Sequence, residues 1–322
     1  MRTSEDPIRG EVRAVGFRRV SHGLYLEDRP GLQDDDEFRL ELEAWLLVLP
    51  AGAVFTHVTG ARLRGWRLPA LPEHVPVFAA VHGTRRHPRR PGLICSRLIA
   101  PSDAISQGPR ARHQLLTDTP EEILLRCARD LGHVDVVVMI DSALALGDLD
   151  RERLERLLAS RRPGVRALRR AYEASDCRAE SAGETVLRLF HRALEVAVEP
   201  QVDLWAADGT LIGRADLLVL GTHDVHEYDG VGHRGSSQHR GDLRRDRRLA
   251  RSSYVRRGFT MDDLVNHPAV AMHEIDAALG RPHESERLRR WRRMIEGSLY
   301  SERGRARTVN RWRRQMGVVD WG

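Results

Sequence analysis

Residues 213–230, GRADLLVLGTHDVHEYDG, constrain this chain more than any other stretch. Two runs of alternating apolar residues flank Gly221-Thr222, a Gly-X pair of the kind favoured at the tip of a β-hairpin. Taking that pair as the tip sets Asp216 opposite Glu227 and Arg214 opposite Asp229. Side chains two apart share a face of a strand, so all four are expected to project the same way. Directly opposed Cβ atoms lie about 4.5–5.5 Å apart, and like charges there repel. The two acids therefore need a neutraliser. A divalent cation held by both carboxylates is one solution; a shared proton or an arginine is another.

The preceding stretch, RAESAGETVLRLF, reads as a helix with Glu180 and Glu184 four residues apart on one face. An acidic helix beside an acidic hairpin suits metal-dependent phosphodiester cleavage. In that chemistry carboxylates hold Mg²⁺ or Mn²⁺, and the ion activates water and stabilises charge on the phosphate. A glutamate in a first turn also has the plainer use of favouring the helix dipole. His233 and His239 follow the hairpin. A neutral imidazole there can assist water or touch phosphate, although a loop histidine is ordinarily a surface residue. Asp242, Arg245, Asp246 and Arg248 alternate in sign, as on a solvated, salt-bridged helix face.

The charge distribution points the same way. The chain carries a net +6, and all 52 of its Lys+Arg residues are arginine. A GC-rich genome is the ordinary cause of such usage. Whatever the cause, arginine grips phosphate through a planar fork. Residues 281–322 hold twelve Arg against five Asp and Glu, a net of +7, which leaves +6 − 7 = −1 for residues 1–280. Residues 234–257 hold nine Arg and two Asp. Basic blocks of this kind fit a nucleic-acid backbone, or else form solvated helix faces. Arg240, Arg244, Arg248, Arg290 and Arg293 are the candidates for holding DNA phosphates.

With 322 residues the chain has room for two domains. Residues 1–162 read as a mixed α/β region with strands near 18–28, 74–83 and 93–100. Helices are expected near 36–50, 56–66 and 119–132, the last with Thr119 as cap, Pro120 in its first turn and Glu122 completing a capping box. HVDVVVMID, residues 133–141, is open between strand and helix. Residues 163–280 read as helix (180–196), three strands (199–206, 211–220, 224–228), helix (238–250), strand (253–260) and helix (268–279). Residues 281–322 form an arginine-rich tail with helical patterns through Trp291 and around Trp312. Cys95, Cys127 and Cys177 have no zinc or disulfide spacing, which suits reduced thiols in a cytoplasmic protein. No run is apolar and long enough for a membrane span or signal peptide.

Five segments, AESAGETVLR, GRADLLV, HEYDGVGHR, RGDLRRDRRL and FTMDDL, in this order and spacing, resemble the Vsr-like endonuclease domain of the PD-(D/E)XK superfamily. FRRVSHGLYL, VTGARLRGW and TDTPEEILLRCARDL resemble the AbiEi-type antitoxin-like domain often fused to it. Together these cover roughly residues 10–280. The resemblance implies an α+β fold, with a restriction-endonuclease-like mixed sheet flanked by helices, a smaller mixed α/β domain before it and the basic helical tail after it. It also implies Mg²⁺ as metal, DNA as substrate, and a partner toxin or defence protein as a possible associate. By motif position Asp216 resembles the family's strand aspartate, Glu227 the acid of its next strand, Glu184 its helix glutamate and His233 its following histidine. Three departures accompany this. Asp229 stands where the superfamily lysine would, RSSYVRRG replaces the usual Gly-Trp strand opening, and the winged helix usual before such domains is expected to be missing. The leading expectation is a metal-dependent endonuclease cleaving or nicking DNA. The alternative is a non-catalytic DNA-binding regulator or antitoxin-like protein with an idle nuclease fold.

Overall fold

The computed structural model describes residues 8–9, 16–83, 87–99, 106–107, 115–230 and 248–316. The first elements in chain order are β1 (Ile8–Arg9), β2 (Phe17–Ser21), β3 (Leu24–Glu27), α1 (Asp34–Leu46), β4 (Val54–Phe55), α2 (His57–Leu63), β5 (Val77–His82), β6 (Leu93–Leu98), β7 (Ser106–Gln107), β8 (Leu116–Thr117) and α3 (Pro120–Asp130). Then come α4 (His133–Ala145), α5 (Arg151–Ala159), α6 (Val165–Tyr172), α7 (Ala182–Ala193), β9 (Val198–Trp205), β10 (Leu211–Val219), β11 (Asp224–Tyr228), β12 (Val255–Phe259), α8 (Met261–Val265), α9 (Pro268–Ala278), α10 (Ser285–Ile295) and α11 (Glu302–Met316). The protein is α+β, with mixed sheets flanked by helices. None of the described helices is long and apolar enough to cross a membrane.

Two compact units divide the chain. One comprises residues 1–130, 150–165 and 305–322; the other comprises 131–149 and 166–304. The first unit holds an antiparallel sheet ordered β1-β3-β2 and a mixed sheet ordered β6-β5-β4-β8-β7. Its core gathers Leu42, Trp45, Phe55, Leu93 and Leu115, all essentially inaccessible. Thr119 caps α3 as its position predicts, its hydroxyl accepting the Glu122 amide at 3.3 Å. Glu122's own carboxylate, expected to close a capping box, is instead gripped by both terminal nitrogens of Arg162.

The second unit holds a four-stranded sheet ordered β12-β11-β10-β9. Its β9–β10 and β10–β11 pairs are antiparallel and its β11–β12 pair is parallel. Helix α7 packs on this sheet through β9 and β11. The division differs from three consecutive segments in two places. The ambiguous stretch 133–141 is helical and belongs to the second unit. It starts where the Asp135 carboxylate accepts the Gly132 amide at 2.9 Å, and its β-branched residues are tolerated because Val134 to Ala143 are all buried. Nor is the tail a body of its own. Trp291 of α10 is sealed in the second unit, its indole N–H donating to Leu264 O at 2.7 Å and its ring meeting Phe190 edge-on at 5.2 Å. Trp312 of α11 is sealed in the first, edge-on to Phe78 at 5.4 Å. Each arginine-rich helix is thus anchored by the tryptophan on its apolar stripe.

Candidate functional site

The hairpin register is the expected one. Leu217 pairs with His226 and Leu218 with Val225, so continuing by one residue sets Asp216 opposite Glu227. The tip differs slightly. Thr222 N donates to Val219 O at 3.2 Å, so the central turn residues are Leu220 and Gly221, with Gly221 at φ 79°. At Asp216 the strands change partners, for its carboxylate accepts the Tyr228 amide at 2.9 Å.

The register across the other strands extends this row. On β9, Val202 pairs with Ala215 and Pro200 with Leu217, which brackets Gln201 against Asp216. On β12, Glu227 pairs with Gly258 and Val225 with Arg256. Asp216, Glu227, Asp229 and Arg256 therefore belong to one face, by the two-residue alternation of strands. Arg256 is the neutraliser. Its Nε donates to the Glu227 carboxylate and its terminal nitrogen to Asp229 at 3.1 Å. Gly258 makes room for this. A Cβ there would lie 1.9 Å from Asp229 Oδ2. Arg214, which faces Asp229 by register, turns instead to Glu180.

Glu184 enters from the start of α7. The Ser181 hydroxyl accepts its amide at 3.1 Å, and its carboxylate accepts the Glu180 amide at 2.8 Å. This is the plain helix-start role. The same carboxylate oxygen accepts from Gln201 Nε2 at 2.8 Å. Gln201 is held at φ 56° in the middle of a strand, a left-handed conformation that side-chain-bearing residues adopt only when their surroundings impose it. Sequence reading missed Gln201 because a left-handed glutamine leaves no composition signal. It missed Arg256 because only the parallel β11–β12 register brings that residue to the acids.

The opposite face of β11 is dry. Tyr228 lies over Gly183 of α7, where a Cβ would come within 2.1 Å of the ring. His226 Nδ1 and His191 Nε2 are 2.6 Å apart, and His191 Nδ1 is 2.8 Å from Leu187 O. The carbonyl can only accept, so His191 carries its proton on Nδ1 and His226 donates from its own Nδ1. Burial holds His191 down to about 4 and His226 to about 3. His226 Nε2 has no hydrogen-bond partner among the described residues.

Of the other candidates, His233, Arg240 and Arg244, with His239, lie outside the described residues. Arg248 is exposed and donates to Leu211 O at 3.2 Å. Arg290 pairs with Glu195 at 2.7 Å and Arg293 with Glu286 at 2.9 Å. Both pairs are solvent-exposed, so they hold these arginines only weakly. Among the described residues no group of three or more His, Cys, Asp or Glu is arranged to hold a metal ion. Magnesium, however, commonly takes only one or two carboxylates and fills its shell with water and substrate phosphate. Asp216 and Glu227 are two carboxylates on neighbouring strands, and Glu227 is paired with Arg256. Comparison with protein-family models, with curated proteins and with solved structures gives no match for this chain.

Proposed function

We propose that the second unit is a nuclease-like domain acting on DNA, with the Asp216–Glu227 pair as its reaction centre. The observation that carries this reading is the pairing of Leu217 with His226 and Leu218 with Val225, which continued by one residue sets the two acids opposite each other, with Arg256 on Glu227. The resemblance of AESAGETVLR, GRADLLV and HEYDGVGHR to Vsr-like endonucleases supports it. Asp216 and Glu227 would hold a divalent ion, which supplies Lewis-acid stabilisation of charge on the phosphate. The chain's own residues do the rest. Gln201 and the Glu180 amide fix the Glu184 carboxylate at the start of α7, and the Tyr228 amide fixes the Asp216 carboxylate. Arg256, whose side chain is 37% exposed, would exchange Glu227 for a DNA phosphate.

The same arginine favours a second reading, a DNA-binding module with an idle site. In that case Arg256 is a permanent counter-ion and Asp216 a strand fastener. Supercoiled plasmid incubated with Mg²⁺ or Mn²⁺, or with chelator, separates the two. Metal-dependent nicking that is lost in Asp216→Ala, with DNA retention unchanged, is the expected outcome. Retention by both proteins without nicking in either would replace it with the second reading.

A further inference from the structure

At the far end of the sheet the β9–β10 turn and the segment before β12 enclose a cleft of about 550 Å³, within the range of small-ligand sites. Trp205, Asp208, Thr210, Arg248 and Arg251 line it. The turn is well made. Gly209 at φ 79° lets the chain reverse, its amide donates to Ala206 O at 2.9 Å, and the Thr210 amide donates to Asp208 Oδ1 at 2.9 Å.

Trp205 is the anomaly. It is 54% exposed, whereas Trp45, Trp66, Trp291 and Trp312 are at most 4% exposed. Its cross-strand partner Leu211 is also exposed. A sheet end that needed only solubility would not carry a bare indole in a cleft shared with two arginines. Arg248 is steadied by Leu211 O, and Arg251 is exposed. Against them stands one carboxylate, Asp208, kept ionised by the Thr210 amide it accepts. The balance is one positive charge beside one aromatic face.

We propose that this cleft binds an unpaired nucleotide of a single-stranded nucleic acid, its base stacked on Trp205 and its phosphate between Arg248 and Arg251. Base–aromatic stacking holds a base regardless of sequence, and arginine adds the backbone charge. A duplex keeps its base faces covered and offers only the phosphate. The proposal rests on reading the second unit as nucleic-acid-binding, and not on cleavage.

The test uses the full chain in chelator, so that no cleavage intervenes. Trp205 is the exposed tryptophan among the described residues, so the part of the emission quenching that is lost in Trp205→Leu reports its stacking. Oligothymidylate, oligouridylate and a DNA duplex are titrated against wild type, Trp205→Leu and Arg251→Ala. Far-UV circular dichroism verifies that each variant is folded. Saturable quenching by either single strand is expected. Trp205→Leu is expected to weaken single-strand binding about tenfold and duplex binding little. Arg251→Ala is expected to weaken both. Quenching by oligothymidylate alone or oligouridylate alone supports the proposal and shows which of the two strands the cleft prefers. No quenching by either, or equal loss of single-strand and duplex binding in Trp205→Leu, overturns it. These titrations run in chelator and the plasmid assay in Mg²⁺, so failure of the cleavage reading is told apart from failure of this one.

Discussion

Two arginine–carboxylate clusters in the second unit look alike in sequence and differ in what they permit. Asp141 of α4, with its side chain at 0% exposure, takes Arg188 of α7 at 2.7 Å, the Thr185 hydroxyl at 2.8 Å and the Asp176 amide at 2.7 Å. Arg188 is 9% exposed and also donates to Ala174 O at 2.7 Å. Glu227 is just as sealed, at 5%, but its Arg256 is 37% exposed. A partner with no route to solvent belongs to the architecture. One with such a route can be exchanged for a ligand. The largest effect expected here follows from the closed cluster. Arg188→Ala leaves the Asp141 carboxylate uncompensated in the interior and costs about 3–5 kcal/mol. Urea unfolding measures this. A loss under about 1 kcal/mol would mean that the two clusters are not different in kind.

The two faces of β11 repeat the contrast at closer range. His226 and Glu227 are neighbours that point to opposite sides. On the His226 side nothing exchanges, and both histidines are neutral in the fold, well below their ordinary value of 6.5. Unfolding hydrates them and lets them take up protons. Below pH 6.5 the unfolded chain therefore binds more protons than the folded one, and stability falls as pH falls. The stability is fully present above that value. It is lost progressively down to about 4 for His191 and about 3 for His226. Each histidine forfeits up to about 1.4 kcal/mol per pH unit. Melting temperatures from pH 7.5 to 5 should drop, and the drop should shrink in His226→Phe. A flat profile would show that the pair is hydrated in solution.

How much of this was legible in the sequence follows from how local each signal is. The hairpin register came through because a two-residue period and one glycine fix it, and the acids then had to face each other. The helix at 182–193 and the capping role of Thr119 were legible for the same reason. Residues 133–141 were not, because a helix buried on all sides loses its period and keeps only a β-like composition. The neutraliser was foreseen as one of three kinds, but Arg256 was not. It is recruited through the parallel strand that returns after residues 231–247, and no spacing rule crosses such a gap. The same holds for Asp141 and Arg188, whose partnership joins helices 47 residues apart in number. The domain boundaries failed where tryptophan anchors outweighed chain order. Trp291 and Trp312 lie in one arginine-rich tail and serve different units.

The smallest of the expected effects bears most directly on the site. Arg256→Ala removes a counter-charge from Glu227, and should cost about 1–2 kcal/mol, less than the sealed cluster because water can reach the vacated position. The sharper measurement is what a divalent ion then does. If Arg256 occupies the place a cation would take, Mg²⁺ should raise the melting temperature of Arg256→Ala more than that of wild type, since the ion no longer competes with a resident charge. Adding Glu227→Gln should abolish the difference. If Mg²⁺ instead stabilises all three proteins equally, the ion acts elsewhere. Arg256 then stands with Arg188 as a fixed counter-ion, and the distinction between an open and a closed cluster loses its functional meaning.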